Sequence, residues 1–297
     1  MPELPEVEVL VRHLAPLLQN RRVRDVQVRR VKVLAPTSIR KFVRTLRGAK
    51  FIGLSRRGKY LVFELRTRKQ RQTQNLVGHL GMTGRMYLLP VAAPLPRHAA
   101  VVLDLGREKF VYEDTRYFGR FTLDSGALAR LGPEPLAGEF TAEYFALALA
   151  RSTQPIKVKL LDQSLVAGVG NIYASESLFR ARVAPTLPAC RLSSDQIGRL
   201  RSAIRQVLSE AIDCGSTVQL NYSGADKSDR LFYFGRAPGF PGFYRERLLV
   251  YGRAGQPCVN CERPVKDMVQ AARRTFYCAF CQASCAGIRR PRLLRAR

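Results

Sequence analysis

The chain begins MPELPE, and its second residue carries the group best suited to covalent chemistry. Removal of Met1 would leave Pro2 as a free secondary amine, and an α-amino group titrates near ~8, against ~10.4 for a lysine. Such an amine can add to a sugar carbon such as C1′ and form an iminium ion, which makes the adjacent position acidic enough for elimination. Glu3 stands beside it as a candidate proton donor. The alternative is purely structural, with Pro5 in the first turn of a helix, where its missing N–H costs nothing.

A second chemical signal comes from the cysteines. Four of the seven fall in two CxxC pairs with sixteen residues between them, namely Cys258, Cys261, Cys278 and Cys281. Each CxxC turn presents two thiolates to one tetrahedral ion, and the intervening stretch is long enough for a β-hairpin. Two disulfides would need an oxidising compartment, which nothing in the sequence indicates. The pattern therefore predicts one structural Zn²⁺ and leaves three buried or idle thiols, at Cys190, Cys214 and Cys285.

The charge of the chain indicates a polyanionic partner. Lysine and arginine number 50 against 23 acidic residues, for a formal net charge of +27, and residues 21–72 hold 18 of the basic residues with only two acids. Nucleic acid is the commonest cellular polyanion. A hydrophobic content of 46% suffices for two or three cores, which argues against a tail-like polycation. Because no membrane-spanning run or signal peptide is evident, we expect a soluble intracellular protein.

Hydrophobic periodicity predicts the elements that position these residues. Apolar residues between 7 and 18 recur at helical spacing, so the N-terminus leads into an amphipathic helix. Short β-rich runs from about 23 to 125 predict an antiparallel sandwich. The turn-forming LGPEPL at 131–136 marks a boundary, after which helices follow to about Gly215. One of these is predicted to begin at a capping box formed by Ser193 and Gln196.

A glycine turn lies between two apolar helical segments. It reads Gly168-Val-Gly170-Asn171 and opens the second segment. Glycines allow close approach of a ligand, and the free N–H groups at a helix start suit a phosphate. The alternative is an ordinary turn between two helices.

Seven ordered blocks resemble the formamidopyrimidine-DNA glycosylase family across nearly the whole chain. They are MPELPEVE, RRGKYLVFEL, GHLGMTG, DTRYFG, LGPEPL, GVGNIYASESLF and VYGRAGQPCVNC with RTFYCAFC. The resemblance implies an N-terminal β-sandwich, a helix-two-turns-helix module and a zinc β-hairpin, with DNA between two lobes. The leucine at position 4 resembles the residue found in the oxidised-purine branch of the family, whereas the endonuclease VIII branch usually has a glycine there.

The resemblance also implies roles for individual residues. Pro2 attacks C1′ of a damaged nucleotide, Glu3 handles protons at the sugar, and Lys59 assists elimination or contacts a phosphate. Chemistry on a duplex base requires its extrusion first. Three side chains match those that fill the resulting void and read the base opposite, namely Met82, Arg116 and Phe118. Four match phosphate-contacting positions, namely His79, Lys157, Asn171 and Arg273. Without the resemblance, the apolar side chains of the first set would be interpreted as core.

Two features depart from the family pattern. Tyr117 stands where the family commonly has a second arginine, which puts one backbone or orphan-base contact in doubt. The stretch 218–247 is longer than its counterpart in typical members and includes the loop that caps a flipped base.

We therefore expect an α+β protein in four parts. Residues 1–132 form a catalytic β-sandwich with a leading helix, and residues 133–250 form the helix-two-turns-helix domain with a long loop at 218–247. Residues 251–285 form the zinc β-hairpin, and residues 286–297 form a disordered basic tail.

The expected function is a bifunctional DNA glycosylase and abasic-site lyase of base excision repair. It would excise 8-oxoguanine and formamidopyrimidines from double-stranded DNA by proline Schiff-base chemistry and β,δ-elimination. We expect a monomer in a bacterial cytoplasm, associated with the nucleoid, with zinc as its cofactor and no membrane partner. The alternatives are a glycosylase for oxidised pyrimidines or a restricted set of lesions, and a catalytically silent protein that binds damaged DNA.

Overall fold

The structure is a computed structural model that describes residues 2–67, 73–215 and 247–283, with the backbone of two short strands at 220–221 and 232–233. Met1, Cys285, the predicted tail at 286–297 and most of the predicted loop at 218–247 lie outside the described residues. None of the helices in the described part combines the length and the hydrophobicity that crossing a membrane requires.

The chain folds into two compact units, each made of separate stretches of sequence. The first comprises Met1–Phe140, Asp162–Gly170 and Leu208–Arg247, and the second comprises Thr141–Leu161, Asn171–Val207 and Leu248–Arg297. The predicted domain boundaries at 132, 250 and 285 stay a prediction.

The first unit contains two four-stranded antiparallel sheets. One has the order β1 (Asp25–Val28), β6 (Ala99–Asp104), β7 (Glu108–Glu113) and β5 (Arg85–Pro90). The other has the order β2 (Lys50–Arg57), β3 (Tyr60–Arg66), β4 (Thr73–His79) and β8 (Arg120–Thr122). Short strands β9 (Leu220–Asn221) and β10 (Phe232–Tyr233) pair with each other. The mixed composition of sheets and helices confirms the α+β class.

The two sheets bury a shared aromatic core. Phe63 of β3 packs edge-on against Phe110 of β7, with ring centroids 5.7 Å apart. Phe110 in turn stacks on Phe121 of β8 at 5.8 Å. Aromatic pairs in these offset and edge geometries add to the energy of simple burial. Interlocking rings from both sheets make this a sandwich, as the alternating strand pattern predicts.

Two helices complete the sandwich. Helix α1 (Leu4–Leu18) begins at a capping box in which the Glu3 side chain accepts the Glu6 N–H, and the Glu6 side chain accepts the Glu3 N–H at 2.8 Å. Its buried apolar residues between Val7 and Leu18 belong to the sandwich core. Helix α2 (Ile39–Leu46) begins at Ser38, whose hydroxyl accepts the Lys41 N–H.

The second unit is mainly helical. It contains α3 (Ala142–Leu149), α4 (Ile156–Lys159) and α5 (Asn171–Arg180), and it shares α6 (Ser194–Asp213) with the first unit. The predicted capping box of α6 is present, because Ser193 and Gln196 exchange hydrogen bonds at 2.9 and 3.2 Å. A hairpin of β11 (Lys266–Gln270) and β12 (Arg273–Tyr277) follows.

Candidate functional site

The N-terminal segment is held in place by its backbone and by the Glu3 side chain. Pro2 and Glu3 are both buried, Glu3 with 1% of its surface exposed. The Leu4 N–H donates to the Gly168 carbonyl at 3.1 Å. The Glu3 carboxyl lies against Gly170 so closely that a Cβ at that position would overlap it. Gly168 and Gly170 therefore form the surface against which the N-terminal segment packs. The sequence analysis did not predict this role for them.

Lys59 lies on the turn between β2 and β3, and this turn lies next to Gly168. Gly58 has a φ of +56°, and a Cβ there would lie 3.6 Å from the Gly168 N. Because Leu4 also contacts Gly168, the candidate nucleophile, its acidic neighbour and the candidate lysine meet at one short stretch of chain. Lys59 is 8% exposed, so its side chain is largely shielded from solvent.

Glu134 fixes the lysine turn. Its carboxylate accepts the Gly58 N–H at 2.6 Å and pairs with Arg56 at 2.6 Å and Arg57 at 2.9 Å. Charge-assisted bonds of this kind are stronger than neutral ones. Sequence reasoning did not identify Glu134, although an acid between the two prolines of LGPEPL was the available signal.

His79 ends β4 beside this turn. Burial, together with the positive charges of Lys59 and Arg120, lowers the pKa of its ring to about 4. The ring is therefore neutral near pH 7. Its Nδ1 accepts the Gly81 N–H at 3.1 Å, so the proton resides on Nε2. A neutral N–H donor at this position agrees with the predicted phosphate contact, which stays a prediction.

The three predicted void-filling residues lie on two adjoining loops. Met82 is 44% exposed and Phe118 is 53% exposed, so neither of these large apolar side chains is packed in the core. The Arg116 guanidinium lies 4.8 Å from the Phe118 ring centroid. These side chains are therefore available to a ligand and are not core residues.

Asp114 joins the two loops and was not identified from the sequence. It is fully buried and accepts hydrogen bonds from the Thr83 hydroxyl at 2.6 Å, the Arg116 N–H at 3.1 Å and the Gly119 N–H at 2.9 Å. One carboxylate thus orients the loop that carries Met82 and the loop that carries Arg116.

Tyr117, which replaces the family arginine, turns toward two polar side chains. It adopts a φ of 53°, and its hydroxyl lies 3.1 Å from Arg30 Nε and 3.4 Å from His98 Nδ1. The Arg30 guanidinium also lies over the Tyr117 ring, 5.3 Å from its centroid. Tyr117 therefore anchors its loop to Arg30.

In the second unit, Lys157 and Asn171 form a direct pair. Lys157 has no exposed surface, and its Nζ donates to Asn171 Oδ1 at 2.5 Å. Asn171 is the first residue of α5, and its side-chain N–H donates to the Arg274 carbonyl at 2.9 Å. Their predicted phosphate contacts stay a prediction, and the structure shows that Asn171 links helix α5 to strand β12.

Glu176 provides a second link, again missed by the sequence. Its buried carboxylate accepts the N–H groups of Leu249, Val250 and Tyr251 at 2.9, 3.0 and 2.8 Å. Burial raises the pKa of this carboxyl, and the three N–H donors oppose the rise. The segment that precedes the four clustered cysteines is thereby attached to α5.

The four predicted cysteine ligands lie together. All four sulfurs are within 4.8 Å of one another, with 3.8 Å between Cys258 and Cys281 and 3.5 Å between Cys261 and Cys278. Sulfurs bound at ~2.3 Å to one tetrahedral ion lie about 3.8 Å apart, far beyond a disulfide bond. The thiols fit one Zn²⁺, as predicted.

Arg273 lies on the hairpin next to this module. Ala271 and Ala272 form the turn, with φ values of 47° and 57°, and Arg273 begins β12 as an exposed side chain. The hairpin therefore presents the predicted phosphate-contacting arginine at its turn.

The predicted residues fall into two groups. The first unit holds Pro2, Glu3, Lys59, His79, Met82, Arg116 and Phe118, and the second holds Lys157, Asn171, Arg273 and the four cysteines.

Comparison with known proteins gives three family matches in chain order. Residues 1–121 match the formamidopyrimidine-DNA glycosylase N-terminal domain, residues 131–221 match the formamidopyrimidine-DNA glycosylase H2TH domain, and residues 255–283 match a zinc finger found in FPG and IleRS.

Whole-chain comparisons agree with these matches. The chain is 42% identical to the formamidopyrimidine-DNA glycosylase of Thermus thermophilus, over 95% of this chain and 98% of that protein. A solved complex of Lactococcus lactis Fpg with abasic-site DNA superimposes with a TM-score of 0.84 at 30% identity, covering 95% of this chain and 100% of the other. A structure of MutM with DNA containing carbocyclic 8-oxo-G gives 0.83 at 31%, with the same coverage.

Proposed function

The chain belongs to the formamidopyrimidine-DNA glycosylase family, and we propose that it is a bifunctional DNA glycosylase and abasic-site lyase that removes oxidised purines from duplex DNA. Solved relatives hold DNA with an oxidised guanine analogue and DNA with an abasic site, the substrate and the intermediate of such a reaction. The observation that carries the proposal is that the buried Pro2–Glu3 segment contacts Gly168 and Gly170, with the Lys59 turn next to Gly168.

The N-terminal amine supplies the nucleophile. With Met1 removed, the Pro2 nitrogen adds to C1′ as the C1′–base bond breaks, and the lesion base leaves with a proton. The Pro2 nitrogen loses its proton, and the sugar ring opens as the C1′–O4′ bond breaks and O4′ takes up a proton, which leaves an iminium ion at C1′. The iminium ion acidifies the C2′ protons, so that β-elimination breaks the 3′ phosphate ester and δ-elimination then breaks the 5′ ester. Glu3 handles protons at the sugar, and Lys59 assists the eliminations or holds a phosphate.

The exposed loops serve base extrusion. A damaged base must leave the stack before its C1′ can meet the amine. Met82 and Phe118 enter the vacated space as apolar wedges, and Arg116 reads the base opposite. Their exposure supports this role, since core residues would be buried.

The remaining predicted residues hold the DNA backbone. His79, Lys157, Asn171 and Arg273 contact phosphates, which positions the duplex without reading its sequence. The four thiolates hold one zinc ion, whose contribution is to fold the small hairpin that carries Arg273. The protein acts as a monomer in the bacterial cytoplasm, at the nucleoid, as expected for a DNA-acting enzyme with bacterial relatives.

A panel of duplexes, each with one lesion, tests the proposal. We expect strand cleavage at 8-oxoguanine, formamidopyrimidine and preformed abasic sites, faster than at oxidised pyrimidines. Preference for oxidised pyrimidines would favour the alternative glycosylase, and binding without cleavage of any substrate would favour a silent damage-binding protein.

A further inference from the structure

The structure contains a basic cavity that the lesion chemistry does not use. It has a volume of ≈ 830 Å³ and lies between the segment that enters β1 and helix α2. Apolar groups of Val23, Ile39 and Val43 contribute to its lining. Its five arginines are Arg22, Arg24, Arg40, Arg44 and Arg47, and we refer to it as the arginine cavity.

Most of this charge is not neutralised. Arg47 pairs with Asp25 at 2.6 Å, but the other four arginine side chains have no acidic partner within the described part of the chain. All five are exposed. A concentration of unpaired guanidinium groups around a concave surface attracts anions, and arginine forms bidentate bonds to phosphate.

The arginines are arranged along a line and partly pre-positioned. Arg40 and Arg44 lie on one face of α2, about 6 Å apart along the helix axis, and Arg47 directly follows the last residue of the helix. Each DNA strand carries one phosphate per nucleotide, at about 3.4 Å of rise along the duplex axis, so a row of this length can reach two neighbouring phosphates. On the facing wall, the Arg24 guanidinium lies against Gly106, where a Cβ would be 2.8 Å from Arg24 Cζ.

The cavity is remote from the candidate chemistry within the same sandwich. Gly48 of the cavity lies two residues before the start of β2, whereas the Lys59 turn follows the end of that strand. An eight-residue strand places these ends about 23 Å apart. The cavity also has no lining residue in common with the candidate active site.

We propose that the arginine cavity is a second DNA-binding site, which holds the phosphodiester backbone of DNA away from the lesion. Its volume exceeds that of a single phosphate ion, and the spaced arginines favour a repeating polyanion. The DNA comes either from the flank of the lesion duplex or from a second duplex. The inference rests on the proposed function only in that the protein works on DNA.

Two binding arrangements separate these sources. In the first, protein saturated with a short duplex that carries an uncleavable abasic analogue is titrated with a fluorescent undamaged duplex. In the second, protein binds one long duplex whose lesion is near one end. Fluorescence anisotropy at several salt concentrations gives the affinity and the salt slope in each.

The Arg40→Ala/Arg44→Ala variant should weaken DNA binding about five-fold or more in at least one arrangement. It should also lower the salt slope by about two, because each phosphate that is no longer contacted keeps about one counterion bound to the DNA. Cleavage of the short lesion duplex should be unchanged. Loss with the second duplex identifies a separate duplex, and loss only with the long duplex identifies the flank.

A matched control removes equal charge nearby. Arg66 and Arg107 are exposed and lie outside the cavity, so Arg66→Ala/Arg107→Ala should change binding much less. Arg22→Ala/Arg24→Ala tests the facing wall should the α2 variant fail to fold. Equal losses in the cavity and control variants, or unchanged binding of a folded cavity variant in both arrangements, would overturn the proposal. Because these readouts measure binding, they remain informative even if no lesion is cleaved.

Discussion

Glu3 and Gly170 fit together with no room for a methyl group. An alanine at position 170 would overlap the Glu3 carboxyl and displace it from the buried N-terminal segment. Because displacement of a catalytic group by about 1 Å can cost about 10²-fold in rate, we expect Gly170→Ala to slow base excision by about that factor. Single-turnover cleavage of an 8-oxoguanine duplex measures the effect.

Gly198→Ala is the matched control for that substitution. Gly198 lies within α6, and a Cβ there would meet no atom within 4 Å. Alanine in a helix interior is more favourable than glycine by up to about 1 kcal/mol, so this variant should be fully active and at least as stable. If Gly170→Ala were equally active, the proposed placement of Glu3 would be wrong.

His79 makes stability depend on pH in a defined direction. Its folded pKa of about 4 lies below the usual 6.5, so between these values the unfolded chain binds more protons than the folded protein. The contribution of the neutral His79 ring to the unfolding free energy is therefore complete above pH 6.5, and it is lost as the pH falls toward 4. We expect this residue to account for about 2–3 kcal/mol of the decrease in unfolding free energy.

Denaturant unfolding at several pH values isolates this contribution. The variant His79→Gln has no ionisable ring, so its unfolding free energy should fall less than that of the wild type between pH 7 and pH 4. Parallel curves for the two proteins would show that the ring is not held neutral.

At the scale of elements, buried or partly buried acids connect segments of a strongly basic chain. Glu134 holds the β2–β3 turn, Asp114 holds the two exposed loops, and Glu176 holds the segment before the zinc module. Sequence patterns did not identify them, because a carboxylate that accepts backbone N–H groups has no characteristic spacing. By contrast, the capping box of α6 and the CxxC pairs depend on local spacing and were predicted correctly.

The zinc hairpin is the element whose stability depends most on a single interaction. A small two-stranded module has little core, so metal binding supplies its folding free energy. Chelation or Cys278→Ser should disorder the hairpin and remove Arg273 from the DNA, which greatly weakens DNA binding. Circular dichroism and near-ultraviolet spectra should show that the β-sandwich remains folded.

Cys190→Ser is the control for the cysteine substitution, because Cys190 is exposed and outside the cluster. It should keep one zinc per chain and normal DNA affinity. Metal content well below one zinc per chain in native protein would contradict the assignment.

For the molecule as a whole, sequence predicted the sandwich, the helical region and the cysteine cluster, because each depends on periodicity or on ligand spacing. It did not predict that Gly168 and Gly170 receive the N-terminal segment, since that contact joins residues far apart in sequence. Nor did it predict the contacts of Tyr117, which follow from a positive φ and a neighbouring arginine. Lesion preference stays a prediction, because the long stretch 218–247 lies mostly outside the described residues.

The central claim is that the Pro2 amine forms the covalent bond to DNA. Borohydride reduction of the protein on an 8-oxoguanine duplex, followed by peptide mass spectrometry, tests it most directly. We predict one adduct, on an N-terminal peptide that begins with Pro2, and none in protein that retains Met1. An adduct mapped to Lys59 or another lysine, with trapping undiminished in Pro2→Gly, would contradict the account.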